Sequence, residues 1–203
     1  MNNNNNNNIK IYTMIEIEKK YELTDNDYLS IQSKCKFISK KIIVDKFYDT
    51  SDFQLFAQKI KLRERNWELQ LKMKVSNNTD AFSKSIEITE LSEVKSKLLE
   101  LNINYSDTKQ VLEIITDVEK FQHSFRGYDF TIDIQKYKYN NRYEIELELE
   151  EDLDINPEEL INSFRSNLWL TSIEQLSTET KVITCAKNEN PALYEVIMKT
   201  KTV

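Results

Sequence analysis

Hydrophobic and charged residues alternate one by one along several stretches of the chain. The first stretch, MIEIEKKYEL at residues 14–23, places two isoleucines on one side of an extended chain and two glutamates and a lysine on the other. This alternation predicts a strand with one buried face. An antiparallel strand can simply expose its charged face to solvent. The alternative is that the charged face lines a binding site.

The same period of two predicts further strands, and stretches of helical spacing separate some of them. Strands are predicted over 40–50, over two parts of 59–75 with a turn near Asn66, over 83–90, over 109–125 and 128–137 around Gly127, and over 142–152. Helices are predicted over 24–36, 91–103 and 156–170, and one or two more over 177–199. Because strands dominate, the pattern indicates an α+β domain with a curved or closed antiparallel sheet.

Length and composition indicate one well-cored domain without a membrane helix. The chain has 203 residues, of which 39% are hydrophobic and 31% charged. No apolar run approaches the ~20 residues that a membrane helix needs. Residues 1–8, which are almost all asparagine, are expected to be a disordered tail. The chain begins without an apolar signal core, so we expect a cytoplasmic protein that does not associate with membranes.

Rare residue types exclude several kinds of site. A single glycine, Gly127, excludes glycine-rich phosphate loops, which need several glycines. Cys35 and Cys185 have no CxxC partner or nearby histidine, so they are expected to be packing residues rather than zinc ligands. The single histidine, His123, has no nucleophile motif around it, which argues against a Ser-His-Asp hydrolase. The net charge of −6 argues against nonspecific nucleic-acid binding.

Charged residues on the predicted strands are sorted by sign, which a solvated sheet face does not require. The carboxylates are Glu16, Glu18, Asp133, Glu144 and Glu146. The cations are Lys20, Arg63, Arg65 and Lys72. Neighbouring carboxylates repel one another, and a divalent cation that prefers oxygen ligands, such as Mg²⁺, Mn²⁺ or Ca²⁺, relieves that repulsion. Clustered arginines and lysines likewise favour a polyphosphate. The pattern therefore indicates a barrel that is apolar outside and charged inside.

These motifs resemble those of the CYTH superfamily, also called triphosphate tunnel metalloenzymes. Its first-strand motif, Glu-x-Glu-x-Lys, is matched by EIEKK at residues 16–20. The segment FYDT…LRER…WEL is most similar to the thiamine triphosphatase branch. Later matches are Glu87 in IEIT, Asp133 in TIDIQ, Glu144 and Glu146 in YEIELE, and Lys181 in STETK. The resemblance spans residues 14–197, which implies a single domain.

The resemblance implies a closed eight-stranded antiparallel β-barrel with flanking helices. The interior of the barrel is expected to be a tunnel in which thiamine triphosphate or inorganic triphosphate is hydrolysed with Mg²⁺ or Mn²⁺. The resemblance assigns phosphate binding to Lys20, Arg63, Arg65, Lys72 and Lys181. It assigns metal binding to Glu16, Glu18, Asp133, Glu144 and Glu146. Water attacks the terminal phosphoryl group, and Lys20 is the candidate base. The expected partner is this small-molecule substrate, bound by a monomer or weak dimer.

Three departures from the family pattern keep alternatives open. Asp117 and Glu119 stand where the family often has a basic pair, so a phosphate clamp can be missing. Lys61 stands where the thiamine branch has a tryptophan, and Lys74 can replace Lys72 in the alignment. The alternative functions are an adenylyl cyclase of the same family and a polyphosphate-binding module without turnover.

Overall fold

Within residues 15–74, 85–149, 156–172 and 180–200, which the computed structural model of the chain describes, eight strands form one antiparallel sheet. The strands are β1 (Ile15–Glu22), β2 (Lys36–Asp49), β3 (Ile60–Arg65), β4 (Glu68–Lys74), β5 (Ser85–Ile88), β6 (Lys109–Phe125), β7 (Tyr128–Tyr137) and β8 (Asn140–Leu149). The helices are α1 (Asp25–Lys34), α2 (Gln54–Ala57), α3 (Leu91–Glu100), α4 (Pro157–Asn167), α5 (Lys181–Glu189) and α6 (Pro191–Lys199). The expected tail at residues 1–8 lies outside the described residues.

Local sequence signals explain where several elements begin and turn. The Thr24 hydroxyl accepts a hydrogen bond from the Asp27 backbone N–H, at 3.1 Å, and caps α1. Asn156 caps α4 in the same way, and Pro157 occupies its first turn. Gly127 has φ of 84° in the β6–β7 turn, a conformation that glycine adopts without steric cost. The α+β prediction and the hairpin around Gly127 are therefore confirmed.

The prediction of a closed barrel is wrong. The strand order is β1-β8-β7-β6-β2-β3-β4-β5, which leaves β1 and β5 as the two edges. Among the described residues, β1 pairs only with β8, and the four-residue β5 pairs only with β4. An open sheet follows, because no ladder between β1 and β5 completes the ring.

Helices pack against both faces of this sheet. Helices α1 and α4 pack on apolar residues of β7 and β8, including Phe130, Ile132 and Ile145. Helix α3 contributes Val94 and Leu98 to a second cluster, with β3 and β4. Helices α5 and α6 instead pack with Phe47 of β2 and Ile114 of β6. No helix in the described parts of the chain is long and apolar enough to cross a membrane.

Candidate functional site

Residues paired across neighbouring strands share a face of the sheet, and the register brings most of the predicted site residues onto one face. Lys20 is opposite Glu144, Glu144 opposite Asp133, and Asp133 opposite Lys120. On the other half of the sheet, Asp45 is opposite Arg65, Arg63 opposite Gln70, and Lys72 opposite Glu87. We call this side the polar face; its defining residues are Lys20, Asp45, Arg63, Arg65, Lys72, Lys120, Asp133, Arg142 and Glu144.

Glu144 is the centre of the first cluster on the polar face. Its Oε1 atom accepts a hydrogen bond from the Arg142 guanidinium and lies 3.3 Å from Lys20 Nζ. Its Oε2 atom accepts a 2.6 Å hydrogen bond from the side-chain amide of Gln135. Burial by itself would raise the pKa of Glu144, but Lys20 and Arg142 outweigh it and lower that pKa. Glu144 is therefore a carboxylate held in place by three neighbours.

Asp133 lies beside Glu144 and has fewer close partners than Glu144. Its Oδ1 atom is buried without a hydrogen-bond partner in the described structure, and Lys120 Nζ is 3.6 Å away. Burial raises the pKa of Asp133 and repulsion from Glu144 adds to this effect, while Lys120 opposes it without cancelling it. A buried carboxylate oxygen that lacks a hydrogen bond and lies next to a second carboxylate is in an environment that a divalent cation would stabilise.

Asp45 organises a second cluster, between β2, β3 and α5. Arg65 donates to both of its carboxylate oxygens, from Nε at 2.7 Å and from Nη2 at 3.2 Å. Lys181, the first residue of α5, donates from Nζ to Asp45 Oδ2 at 3.0 Å and to the Thr116 hydroxyl at 3.1 Å. Helix α5 therefore brings a cation onto the polar face from outside the sheet.

Arg63 and Lys72 extend the polar face toward β5. Arg63 donates from Nε to Gln70 Oε1 at 2.7 Å, and its Nη2 lies 3.4 Å from Glu87. Lys72 is opposite both Glu87 and Lys61, so Lys61 shares this face as well. Lys74, the alternative to Lys72, is two positions further along β4, and its side chain is outside the described structure.

The sheet is curled enough for its two halves to act on each other. Six strand intervals separate β1 from β4, which would be about 29 Å in a flat sheet. Yet burial lowers the pKa of Lys20, and repulsion from Arg142 and from Lys72 contributes to the shift. Charges at that distance would be almost completely screened. The polar face is therefore concave, and the cations of β1, β4 and β8 lie around one space.

Asp117 and Glu119 are not part of this space. They lie on the opposite face, where Lys40 Nζ is 3.3 Å from Asp117 and 2.9 Å from Glu119. The Tyr28 hydroxyl also donates to Glu119, at 3.0 Å. Residues of odd and even position in a strand face opposite sides, so Asp117 and Glu119 do not line the polar face. The absence of one phosphate clamp stays a prediction. Lys120 is the β6 cation on the polar face.

The side chains of three predicted metal ligands, Glu16, Glu18 and Glu146, lie outside the part of the chain that the structure describes. The backbone register places Glu18 opposite Glu146, one ladder step of two residues from the pair formed by Lys20 and Glu144. Glu16 is opposite Glu148. The strand positions are therefore adjacent to Glu144 and Asp133.

Four residues of the site were missed at the level of sequence: Asp45, Thr116, Gln135 and Arg142. A signal exists for three of them. Asp45 stands among hydrophobic residues that alternate along β2. Gln135 is two residues from Asp133 on β7, and Arg142 is two residues from Glu144 on β8. The side chains of Asp45, Gln135 and Arg142 are all buried. Buried polar residues are unusual in a strand. Where they alternate in step with predicted site residues, they indicate that the strand turns this face toward the site.

The described carboxylates fit a hard divalent cation. Asp133 and Glu144 offer oxygen ligands only, and Asp133 Oδ1 has no hydrogen-bond partner in the described structure. These two do not make a complete coordination sphere, since no group of three or more acidic, histidine or cysteine ligands occurs among the described residues. The neighbouring strand positions, Glu18 and Glu146, are the ones that would complete it.

Asp45 should make the stability of the protein sensitive to acid. Burial alone would raise the pKa of Asp45, but Arg65 and Lys181 lower it to about 2. A carboxylate with a lowered pKa stabilises the fold above its ordinary pKa of about 4, and the effect, about 2 kcal/mol, is lost as the pH falls through 2. We expect the free energy of unfolding of wild type and of Asp45→Asn, measured with urea, to differ most near neutral pH and to converge toward pH 2. A constant difference would contradict this assignment.

Comparisons with known proteins bear on this arrangement. The sequence model of the CYTH domain matches residues 14–185, and no curated protein sequence matches significantly. Among solved structures, the putative adenylyl cyclase HpAC1 from Hippeastrum, a protein described as having a dominant triphosphatase activity, is 16% identical, with a TM-score of 0.58 over 88% of this chain and 98% of that one.

Two further solved structures share the fold with slightly lower TM-scores. The PH1819 protein from Pyrococcus horikoshii OT3 is 21% identical, with a TM-score of 0.52 over 80% of this chain and 94% of that one. A putative adenylate cyclase from Bacillus halodurans is 18% identical, with a TM-score of 0.51 over 83% and 95%. At such identities these structures show a shared fold, and the match to the domain model covers most of the sequence. The chain belongs to the CYTH domain family.

Proposed function

We propose that this protein hydrolyses a triphosphate with the help of Mg²⁺ on its concave polar face. The observation that carries the proposal is the arrangement of charge: two adjacent buried carboxylates, Asp133 and Glu144, lie among cations from β1, β3, β8 and α5. A metal complex of a polyphosphate has the complementary charges. Membership of the CYTH family and the triphosphatase activity described for HpAC1 support it.

The proposed roles divide the polar face by sign. Phosphate oxygens are bound by Lys20, Arg63, Arg65, Lys72 and Lys181. The metal is held by Glu16, Glu18, Asp133, Glu144 and Glu146, with Mn²⁺ as an alternative to Mg²⁺. Arginine suits phosphate because its planar guanidinium offers paired donors, and lysine binds as a point charge. No protein nucleophile is required for this reaction.

The chain's own residues orient the substrate and move the proton. Bound Mg²⁺ would neutralise charge on the phosphates and polarise the terminal phosphoryl group. The arginines of β3 hold the phosphates against the sheet, so that water attacks in line with the leaving oxygen. Lys20 is the proposed base for that water; burial lowers the pKa of Lys20, against the opposing effect of Glu144.

Inorganic triphosphate fits the polar face better than thiamine triphosphate does. A thiamine ring carries a positive charge, and Lys61, near the start of β3, shares the polar face with Lys72 on β4. A lysine there repels a cationic ring, whereas an aromatic side chain would attract it through a cation–π interaction of about 0.5–2 kcal/mol. The proposed preference is therefore for inorganic triphosphate.

Turnover of inorganic triphosphate, thiamine triphosphate and ATP with Mg²⁺ tests the proposal. We expect phosphate release that is fastest with inorganic triphosphate and that stops when Mg²⁺ is removed by a chelator. Cyclic AMP from ATP, with little phosphate release, would point to a cyclase instead. Binding of inorganic triphosphate in calorimetry without any turnover would show a binding module. Either result would overturn the proposal.

A further inference from the structure

We propose that Asp45 is a positioning residue for phosphate recognition, which holds Arg65 and Lys181 as one unit on the polar face. The inference deepens the proposed function and rests on it. Asp45 would not touch the substrate. It would act through the two cations, one from the sheet and one from α5, that its carboxylate joins.

The contacts of Asp45 fix both cations in space. Its side chain is 1% exposed, and both oxygens are engaged by charged donors. Arg65 uses its Nε and Nη2 atoms for Asp45, which leaves the Nη1 edge of the guanidinium to other acceptors. Lys181 is held on its other side by the Thr116 hydroxyl. The orientation of both cations is therefore set before a ligand arrives, which lowers the entropic cost of binding.

Electrostatics gives the second argument. Burial and repulsion from Arg142 lower the pKa of Lys181, and the Asp45 carboxylate opposes that effect. Without Asp45, Arg65 and Lys181 would repel each other in a buried environment, where charge–charge interactions are strong. With it, the three residues keep a net positive charge and can still attract a phosphate. Asp45 therefore allows two cations to occupy the same small space.

Asp49, four residues further along β2, provides a matched control. Its carboxylate is also fully buried, but it accepts hydrogen bonds from the backbone N–H groups of Thr50, Leu55 and Phe56, at 2.7 to 2.9 Å. These bonds hold the turn that leads into α2. Because these donors belong to the turn and none of them is a cation of the polar face, Asp49 is expected to affect stability alone.

The experiment compares Asp45→Asn with Asp49→Asn in the full chain, with inorganic triphosphate as ligand. We expect both variants to lower the melting temperature, but only Asp45→Asn to weaken calorimetric binding and raise KM, by about tenfold. The expected binding losses from Asp45→Asn and Arg65→Ala should also be far from additive in the double variant, because the first acts through the second. If Asp45→Asn binds within about twofold of wild type, Asp45 is only a structural ion pair and the inference is wrong.

A second variant covers a failure of Asp45→Asn to fold. Asp45→Glu keeps the charge and moves it by one methylene group, so a positioning role predicts weaker binding, by at least about threefold, in a protein whose fold is confirmed by circular dichroism. Unchanged binding in Asp45→Glu would overturn the inference. If wild type neither binds nor hydrolyses inorganic triphosphate, the proposed function fails first; if it does both and the Asp45 variants match it, only this inference fails.

Discussion

Replacing Glu144 by glutamine is expected to lower kcat for inorganic triphosphate by at least about 100-fold at saturating Mg²⁺. Glu144 accepts hydrogen bonds from Arg142 and Gln135 and lies 3.3 Å from Lys20. The glutamine keeps the size of the side chain but removes the charge that Lys20 and Arg142 face. It also removes an anionic oxygen from the proposed metal site. A 100-fold loss corresponds to about 2.7 kcal/mol of transition-state stabilisation, which is within the range of one charge-assisted hydrogen bond.

The measurement must separate chemistry from stability, because removing one partner of a buried ion pair destabilises a protein by about 3–5 kcal/mol. Turnover is therefore measured well below the melting temperature of the variant, after circular dichroism shows that it is folded. Mn²⁺ binding, followed by electron paramagnetic resonance, should weaken at the same time. Loss of Mn²⁺ affinity distinguishes a damaged metal site from a general loss of structure.

Glu119→Gln is the control for Glu144→Gln. Glu119 is also buried and paired with a lysine, Lys40, but it lies on the opposite face of the same sheet. Its replacement is expected to change stability and to leave kcat within about twofold. Comparable losses of kcat in both variants would mean that charge loss anywhere in the sheet damages the protein, and the metal assignment would then lose its support.

Alternation along a strand predicts which of its residues share a face, because a side chain in a strand can face only two ways. The same rule explains why Asp117 and Glu119 do not belong to the polar face: their odd positions place them on the other face of β6 from Lys120. Asp45 and Arg142 could have been found by the same reasoning. Arg142 has the parity of Glu144 on β8, and Asp45 stands among hydrophobic residues on one face of β2, although neither is among the motif matches described above.

Closure of the sheet could not be predicted in this way. Alternation is a local property. Closure depends on whether the two edge strands of the sheet, here β1 and β5, pair with each other. The geometry of the clusters around Glu144 and Asp45 could not be predicted for the same reason. They join residues that are far apart in the sequence, such as Asp45 and Lys181, and their geometry depends on curvature and on the position of α5. Sequence periodicity carries no information about either.

Arg65→Ala should lower kcat/KM for inorganic triphosphate by at least about tenfold. Arg63 and Arg65 lie two residues apart on β3, so both belong to the polar face. A charge-assisted hydrogen bond contributes about 1.5–3 kcal/mol, so the loss of one from the transition state reduces kcat/KM by about 10- to 150-fold. Replacing Arg65 should lower kcat/KM more than replacing Arg63. Asp45 accepts two hydrogen bonds from the Arg65 guanidinium, and Lys181 binds the same carboxylate.

Lys59→Ala is the control for Arg65→Ala. Lys59 has the same parity in the sequence, but it precedes β3 and is exposed. Replacement of such a surface lysine changes stability by less than about 0.5 kcal/mol and should leave kcat/KM within about twofold. The salt dependence of KM gives a second readout, since Arg65→Ala removes a phosphate contact and should flatten it, while Lys59→Ala should not. Equal and small effects of the two substitutions would mean that the arginines of β3 serve the stability of the sheet, and that phosphate binding lies elsewhere.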